Sequence, residues 1–191
     1  FILSSQGQNL LQGSRVLELG AGIGVPGILA GRTCAELVLT DSNDAVVERL
    51  RQNIELNQAD IACATRVANL LWGAGAFPSA ETAAAQSIDV VLGSDVVYSA
   101  SSAQSLLETA NFLMAKPNGV LILAYIPRWP SVDRALHDSI KAQGLEVTSV
   151  PLASFLPSDE ATSPDGHKLP TGACLLLLRR RDDMSSTDKE N

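Results

Sequence analysis

The sequence predicts an α/β fold: a seven-stranded, mostly parallel sheet with one antiparallel strand and helices on both faces. Three observations predict it. Short aliphatic, β-branched segments alternate with segments whose apolar residues recur at helical spacing, the pattern of parallel strands joined by right-handed crossovers. Most of the strand segments are nearly continuous apolar runs, as in strands covered on both faces. The last two strands break the alternation, because no helical pattern lies between Val150 and Ala173. Strands joined without a helix pair antiparallel, so the reversed strand is expected at or near the end of the sheet.

Taken in order, Arg15 to Leu19 (RVLEL) reads as the first strand, ending at a glycine cluster, and Glu36 to Thr40 (ELVLT) as the second. Ser42 and Asn43 are cap candidates for a helix whose apolar face carries Val46, Val47, Leu50 and Ile54. Cys63 to Ala68 is a weaker third strand, and Gly73 to Ser87 reads as a long loop or a short helix in a flexible insert. Ile88 to Gly93 (IDVVLG) and Val120 to Tyr125 (VLILAY) are strong strands. Between them a helix from Ser101 carries Ala103, Leu106, Leu107, Ala110 and Leu113, and Pro117-Asn118-Gly119 stops it. A helix from Ser131 with Val132, Leu136 and Ile140 closes at Gly144. Leu145 to Val150 and Ala173 to Arg179 complete the seven strands, joined by a Pro-, Ser- and Gly-rich loop. One domain is expected over 1–181, and 182–191 reads as a disordered tail.

A chain of 191 residues, 46% hydrophobic and 18% charged, can build one globular core. No apolar stretch approaches the roughly 20 residues that span a bilayer, so no membrane partner is expected. The chain opens on Phe1 rather than Met, from which we expect a segment ahead of it. A net charge of -7 argues against duplex nucleic acid and suits a basic partner. Cys34, Cys63 and Cys174 form no CxxC pair or Cys/His cluster. No metal is expected, and the cysteines read as buried thiols of a reducing compartment, the cytoplasm, with the nucleus left open. We expect a monomer. His137 and His167 are not expected to act as bases, and Arg179 to Arg181 read as a solvated strand end.

The stretch Val16 to Gly27 (VLELGAGIGVPG) sets a carboxylate, Glu18, just ahead of a glycine turn. Gly22-x-Gly24-x-x-Gly27 matches a dinucleotide fingerprint, with Asp41 following about 20 residues later. A pyrophosphate on a helix N-terminus would be a poor neighbour for Glu18. A cationic ligand suits it better, and S-adenosylmethionine carries an ammonium and a sulfonium. The backbone of Gly20, Gly22 and Gly24 would then pass close to the ligand, and Asp41 would accept from both ribose hydroxyls.

VLELGAGIG followed by LVLTDSN resembles the signature of seven-stranded, Rossmann-like S-adenosylmethionine-dependent methyltransferases. Asn69 to Gly73 (NLLWG) and Val90 to Tyr98 (VVLGSDVVY) are similar to the family 16 methyltransferase-like proteins, mostly protein lysine methyltransferases. The resemblance covers about Leu11 to Leu178 and implies a lysine-bearing protein substrate. It also implies an acceptor-site signature at Asp95-Val96-Val97-Tyr98. That family usually carries an N-terminal segment, with its own tryptophan, that helps close the cofactor site.

Each candidate has a rival reading. Asp41 binds ribose or only starts a helix; Ser42 is its neighbour in the same turn. Trp72 packs on adenine or fills the core, and Asn69 and Leu70 are its neighbours. Ser94 lines the cofactor or sits in a turn. Asp95 holds the methyl acceptor or caps the helix near Ser101; Tyr98 walls the acceptor channel or merely packs. Arg128 and Trp129 line the acceptor cleft or belong to a solvated loop. Three other classes use the same glycines or fold: a methyltransferase of small molecules or nucleic acid, a nicotinamide-dependent oxidoreductase, and a non-catalytic binding module.

Overall fold

The computed structural model describes residues 1–73, 86–156 and 172–181. The expected loops over 73–87 and 151–172, His167 and the tail fall largely or wholly outside these residues. The elements are α1 (Ser5–Leu11), β1 (Arg15–Leu19), α2 (Val25–Ala30), β2 (Glu36–Asp41), α3 (Asp44–Leu56), β3 (Ala64–Asn69), β4 (Val90–Ser94), α4 (Ala100–Leu113), β5 (Val120–Tyr125), α5 (Pro130–Ala142), β6 (Leu145–Val150) and β7 (Cys174–Arg180). They form one seven-stranded sheet in the order β3-β2-β1-β4-β5-β7-β6. Every pairing is parallel except those of β7, which runs antiparallel to both β5 and β6. The reversed strand thus lies one place in from the edge.

Two apolar clusters, one on each face, explain the continuous strand runs. Leu17, Leu19, Val91, Leu121 and Leu123 face Leu106, Leu107 and Leu113 of α4 and Leu136 and Ile140 of α5. Val16, Leu37, Leu39, Leu92 and Ile122 share the other cluster with Leu11 of α1, Ala30 of α2 and Leu50 of α3. A fully buried leucine such as Leu50 stabilises the fold by roughly 1.5–3 kcal/mol relative to exposure. The edge strands β3 and β6 are the least covered, which is why their sequences alternate or look weak.

The helix starts follow from the caps. The Asn43 side chain accepts from Ala45 N and Val46 N, opening α3. Ser99 opens α4 in a reciprocal capping box with Ser102. Helix α1, capped by Ser4, has too short an apolar pattern to be read from sequence. Arg180 corrects the expectation of a solvated strand end: its guanidinium donates to the carbonyls of Asn111, Met114 and Ala115. It thereby closes the C-terminus of α4, whose last carbonyls lack helical partners. Of the three cysteines expected to be buried, only Cys34 is; Cys63 and Cys174 are half-buried.

Candidate active site

Because β1, β2, β4 and β5 are parallel, their C-terminal ends open on one edge of the sheet, where the strand order reverses beside β1. There the chain leaves β1 through Gly20, Gly22 and Gly24, with φ of 65°, 57° and 86°, a region that glycine enters without steric cost. A Cβ on Gly20 would lie 2.9 Å from Val96 Cγ1 and 3.0 Å from Trp72 Cζ2. At Gly22 it would meet nothing, so that stretch of backbone borders open space. Gly24 is the N-cap of α2 and packs over Leu50.

Glu18 takes a different place from the one expected. It is 1% exposed, and its Oε2 accepts a 2.9 Å bond from Gly27 N in the first turn of α2. A Cβ on Gly27 would strike Leu39 and come within 2.6 Å of that oxygen. The acid and the last glycine of the motif are therefore one device, fastening α2 to β1 behind the loop. Burial pushes the Glu18 carboxyl up to about 8, opposed by the Gly27 bond.

A cleft of about 380 Å³ lies in front of the loop, lined by Gly20, Asp41, Ser42, Trp72, Val96 and Tyr98 among others. The Asp41 carboxylate stands at the end of β2. One oxygen accepts from Gly22 N at 3.2 Å and the other from Asn43 N at 3.1 Å. Each keeps acceptor capacity for a ligand hydroxyl. Asn69 sits beside the cleft rather than in its wall, donating to Ser42 O and to Asp44 Oδ1 at 3.1 and 2.7 Å. Leu70 is buried, with its N–H on Asp41 O at 2.9 Å. Both brace the Asp41-Ser42 turn. Trp72 is held over Gly20 because Gly73 N donates to Thr109 Oγ1 of α4 at 3.0 Å. Thr109 escaped sequence reading, since a polar residue inside a helical apolar face gives no sign of its remote partner.

The end of β4 is the other half of the site. Asp95 continues the ladder, its N–H on Ala124 O of β5 at 2.9 Å, then turns the chain with φ 55°, a conformation that Asp tolerates better than most residues. Val96 and Val97 are buried, and Tyr98 emerges 67% exposed. Val96 and Tyr98 line the cleft. Ser94 and Asp95 instead line a second, apolar cavity of about 480 Å³ with Phe1, Val25, Ile122 and Phe155. So Ser94 lies apart from the other cofactor candidates. The capping alternative for Asp95 is gone, because Ser99 fills that role.

Asp95 carries a partner that sequence reading did not assign. Arg128, three residues beyond β5, donates from both terminal nitrogens to both Asp95 oxygens, each at 2.7 Å. These bonds hold the Asp95 carboxyl below its ordinary value, against a smaller opposing effect of desolvation. The same bonds raise Arg128. Trp129, at the N-cap of α5, is exposed beside this pair in sequence. His137 lies on the exposed side of α5, near Asp133.

A glycine loop bordering open space, an acceptor carboxylate at the end of the second strand and a tryptophan over the loop are chemically suited to S-adenosylmethionine. The fold is that of the Rossmann-like S-adenosylmethionine-dependent methyltransferases. The chain belongs to the lysine methyltransferase family, whose model matches residues 1–140. It is 32% identical over 163 residues to histone-arginine methyltransferase METTL23 of Xenopus laevis, covering 84% of this chain and 65% of that one. Against human METTL23 it is 33% identical over 148 residues, covering 76% and 74%. Against mouse protein N-lysine methyltransferase METTL21A it is 35% identical over 115 residues, covering 60% and 50%. The chain thus spans just under two thirds of the frog protein. Among solved structures, magnesium protoporphyrin IX methyltransferase from Synechocystis PCC 6803 with bound SAM shares the fold at TM-score 0.61 and 16% identity, covering 92% of this chain and 74% of that one.

Proposed function

We propose that the protein transfers a methyl group from S-adenosylmethionine to a lysine side chain of a protein substrate. The observation that carries this reading is the division made by Asp95 to Tyr98. This one turn contributes Val96 and Tyr98 to the cleft beside the glycine loop and Asp95 to the adjoining cavity. A methyl donor and an acceptor entering from the two sides would meet at the turn.

When bound, S-adenosylmethionine supplies an electrophilic methyl group on a sulfonium, already a good leaving group. The chain supplies position and charge. Gly20 and Gly22 would let the backbone approach the cofactor, Asp41 would accept from its ribose hydroxyls, and Trp72 would pack against its base. A lysine ammonium, with an ordinary pKa of about 10.4, must become neutral before it attacks. Asp95 is held in its charged form by Arg128 and is a poor proton acceptor for that reason. It serves as an anionic anchor that receives the ammonium and orients the amine once water has taken the proton. Tyr98 walls the path. To admit the acceptor, Arg128 must share or release Asp95. The net charge of -7 favours a basic protein surface as substrate and disfavours nucleic acid.

Two observations favour a second reading, arginine as the acceptor. Asp95 engages a guanidinium in two parallel bonds, a geometry suited to arginine, and relatives at 32–33% identity are named as histone-arginine methyltransferases. Labelled transfer from S-adenosylmethionine into cell extract by the full-length protein, followed by amino-acid analysis, separates the two. Methyl-lysine in a protein band is expected, and methyl-arginine selects the second reading. Label confined to nucleic acid or small molecules would contradict both.

A further inference from the structure

Cys34 and Cys63 meet at the edge of the sheet opposite the site, where β2 and β3 begin. Their sulfurs are 3.4 Å apart. Cys34 is buried on the connection from α2 to β2, and Cys63 is half-buried just before β3. The surrounding backbone holds them in place. Cys34 N donates to Ala30 O at 3.1 Å, and Ala62 N to Gly31 O at 2.9 Å. The parallel ladder then starts at Glu36 and Ala64. The two sulfurs, already at van der Waals contact on a hydrogen-bonded frame, must close to the roughly 2.05 Å of a disulfide bond.

We propose that Cys34 and Cys63 are a modification site: a reversible disulfide, formed by a peroxide oxidant, that ties the entry of β2 to the edge strand β3. Cys63, the accessible partner, reacts first. Its thiolate sulfur attacks one oxygen of hydrogen peroxide, the O–O bond breaks, and Cys63 becomes a sulfenic acid with release of water. The Cys34 sulfur then attacks the Cys63 sulfur, the S–O bond breaks, and a second water leaves with the Cys34 proton. Two thiols have lost two electrons and two protons to one peroxide, giving one disulfide and two waters. The order fits the environments, because burial and the adjacent Cys63 push Cys34 up to about 12, making it the weaker first nucleophile. The closed loop would contain β2 and α3, with Asp41 and Ser42 at their junction. It would also secure β3, the edge strand with the least burial. Closing such a loop restricts the unfolded chain and is expected to raise the thermal midpoint by roughly 5 °C or more.

The test uses the full-length wild-type protein, treated with hydrogen peroxide, alkylated, digested and mapped by mass spectrometry. The expected result is a Cys34–Cys63 cross-linked peptide, lighter than the two free peptides by two hydrogens. Dithiothreitol should reverse it, and Cys174→Ser should leave it undiminished. Cys63→Ser should abolish it. Because the decisive map is made on wild-type protein, an unstable variant does not blunt the test. The proposal is overturned if both thiols remain alkylatable, if Cys63 advances to sulfinic acid with Cys34 free, or if every cross-link runs through Cys174 or between chains.

Discussion

The two halves of the site are held by different kinds of bond. Around the glycine loop the acids rest on the backbone: Glu18 on Gly27 N, Asp41 on Gly22 N and Asn43 N. At the end of β4, Asp95 rests on another side chain, the half-exposed Arg128. Backbone donors are fixed once the strand and helix exist, so the cofactor half is set by the fold. A side-chain pair near solvent can open and exchange partners, which suits a place where an acceptor has to enter. Changes in the first half should therefore cost stability and affinity, and changes in the second should cost transfer.

The largest expected effect lies in the first half. Glu18 ionises near 4.5 ordinarily and near 8 when folded. Between those values the native protein holds a proton that the unfolded chain has lost, so stability should fall as pH rises from about 4.5 to about 8 and then level off. A shift of that size corresponds to on the order of 5 kcal/mol. Glu18→Gln, permanently neutral and still able to accept from Gly27 N, should flatten the slope. Denaturant unfolding of both proteins across that range checks this, and equal slopes would remove Glu18 as the cause.

Next in size is Asp95→Asn, which keeps the shape and removes the charge. Transfer should fall roughly a hundredfold if Asp95 anchors the acceptor electrostatically, read as turnover on the labelled substrate. Asp41→Ala comes third. Losing a carboxylate that accepts from two hydroxyls should weaken S-adenosylmethionine and S-adenosylhomocysteine about tenfold or more, as measured by calorimetry, and unchanged affinity would take Asp41 out of the site. Smallest is Tyr98→Phe, which removes a hydroxyl and keeps the wall. A change in turnover of about threefold or less is expected, and a loss matching that of Asp95→Asn would reverse their assigned weights.

The same contrast explains what could be read from sequence. The strands themselves, the glycine turn and an acid at the end of β2 are legible in the sequence because each depends on short-range spacing: apolar period, positive φ, a carboxylate at a strand end. The charge of Glu18 stands out in the sequence and points toward a ligand, whereas its partner is Gly27 N, because the tight approach of α2 to β1 exists only in three dimensions. Asp95 and Tyr98 share one short motif, yet they border different cavities, since the left-handed Asp95 turns the chain between them. The Asp95–Arg128 pair spans 33 positions and Thr109–Gly73 spans 36. No local pattern announces bonds of that reach.

The division of labour is tested most directly by titrating S-adenosylhomocysteine into full-length Asp95→Asn and wild-type protein, with methyl transfer measured on the same samples. The account predicts affinities within about twofold of each other alongside the large loss of transfer. An Asp95→Asn protein that binds S-adenosylhomocysteine as poorly as Asp41→Ala, or that transfers methyl groups at the wild-type rate, would contradict it.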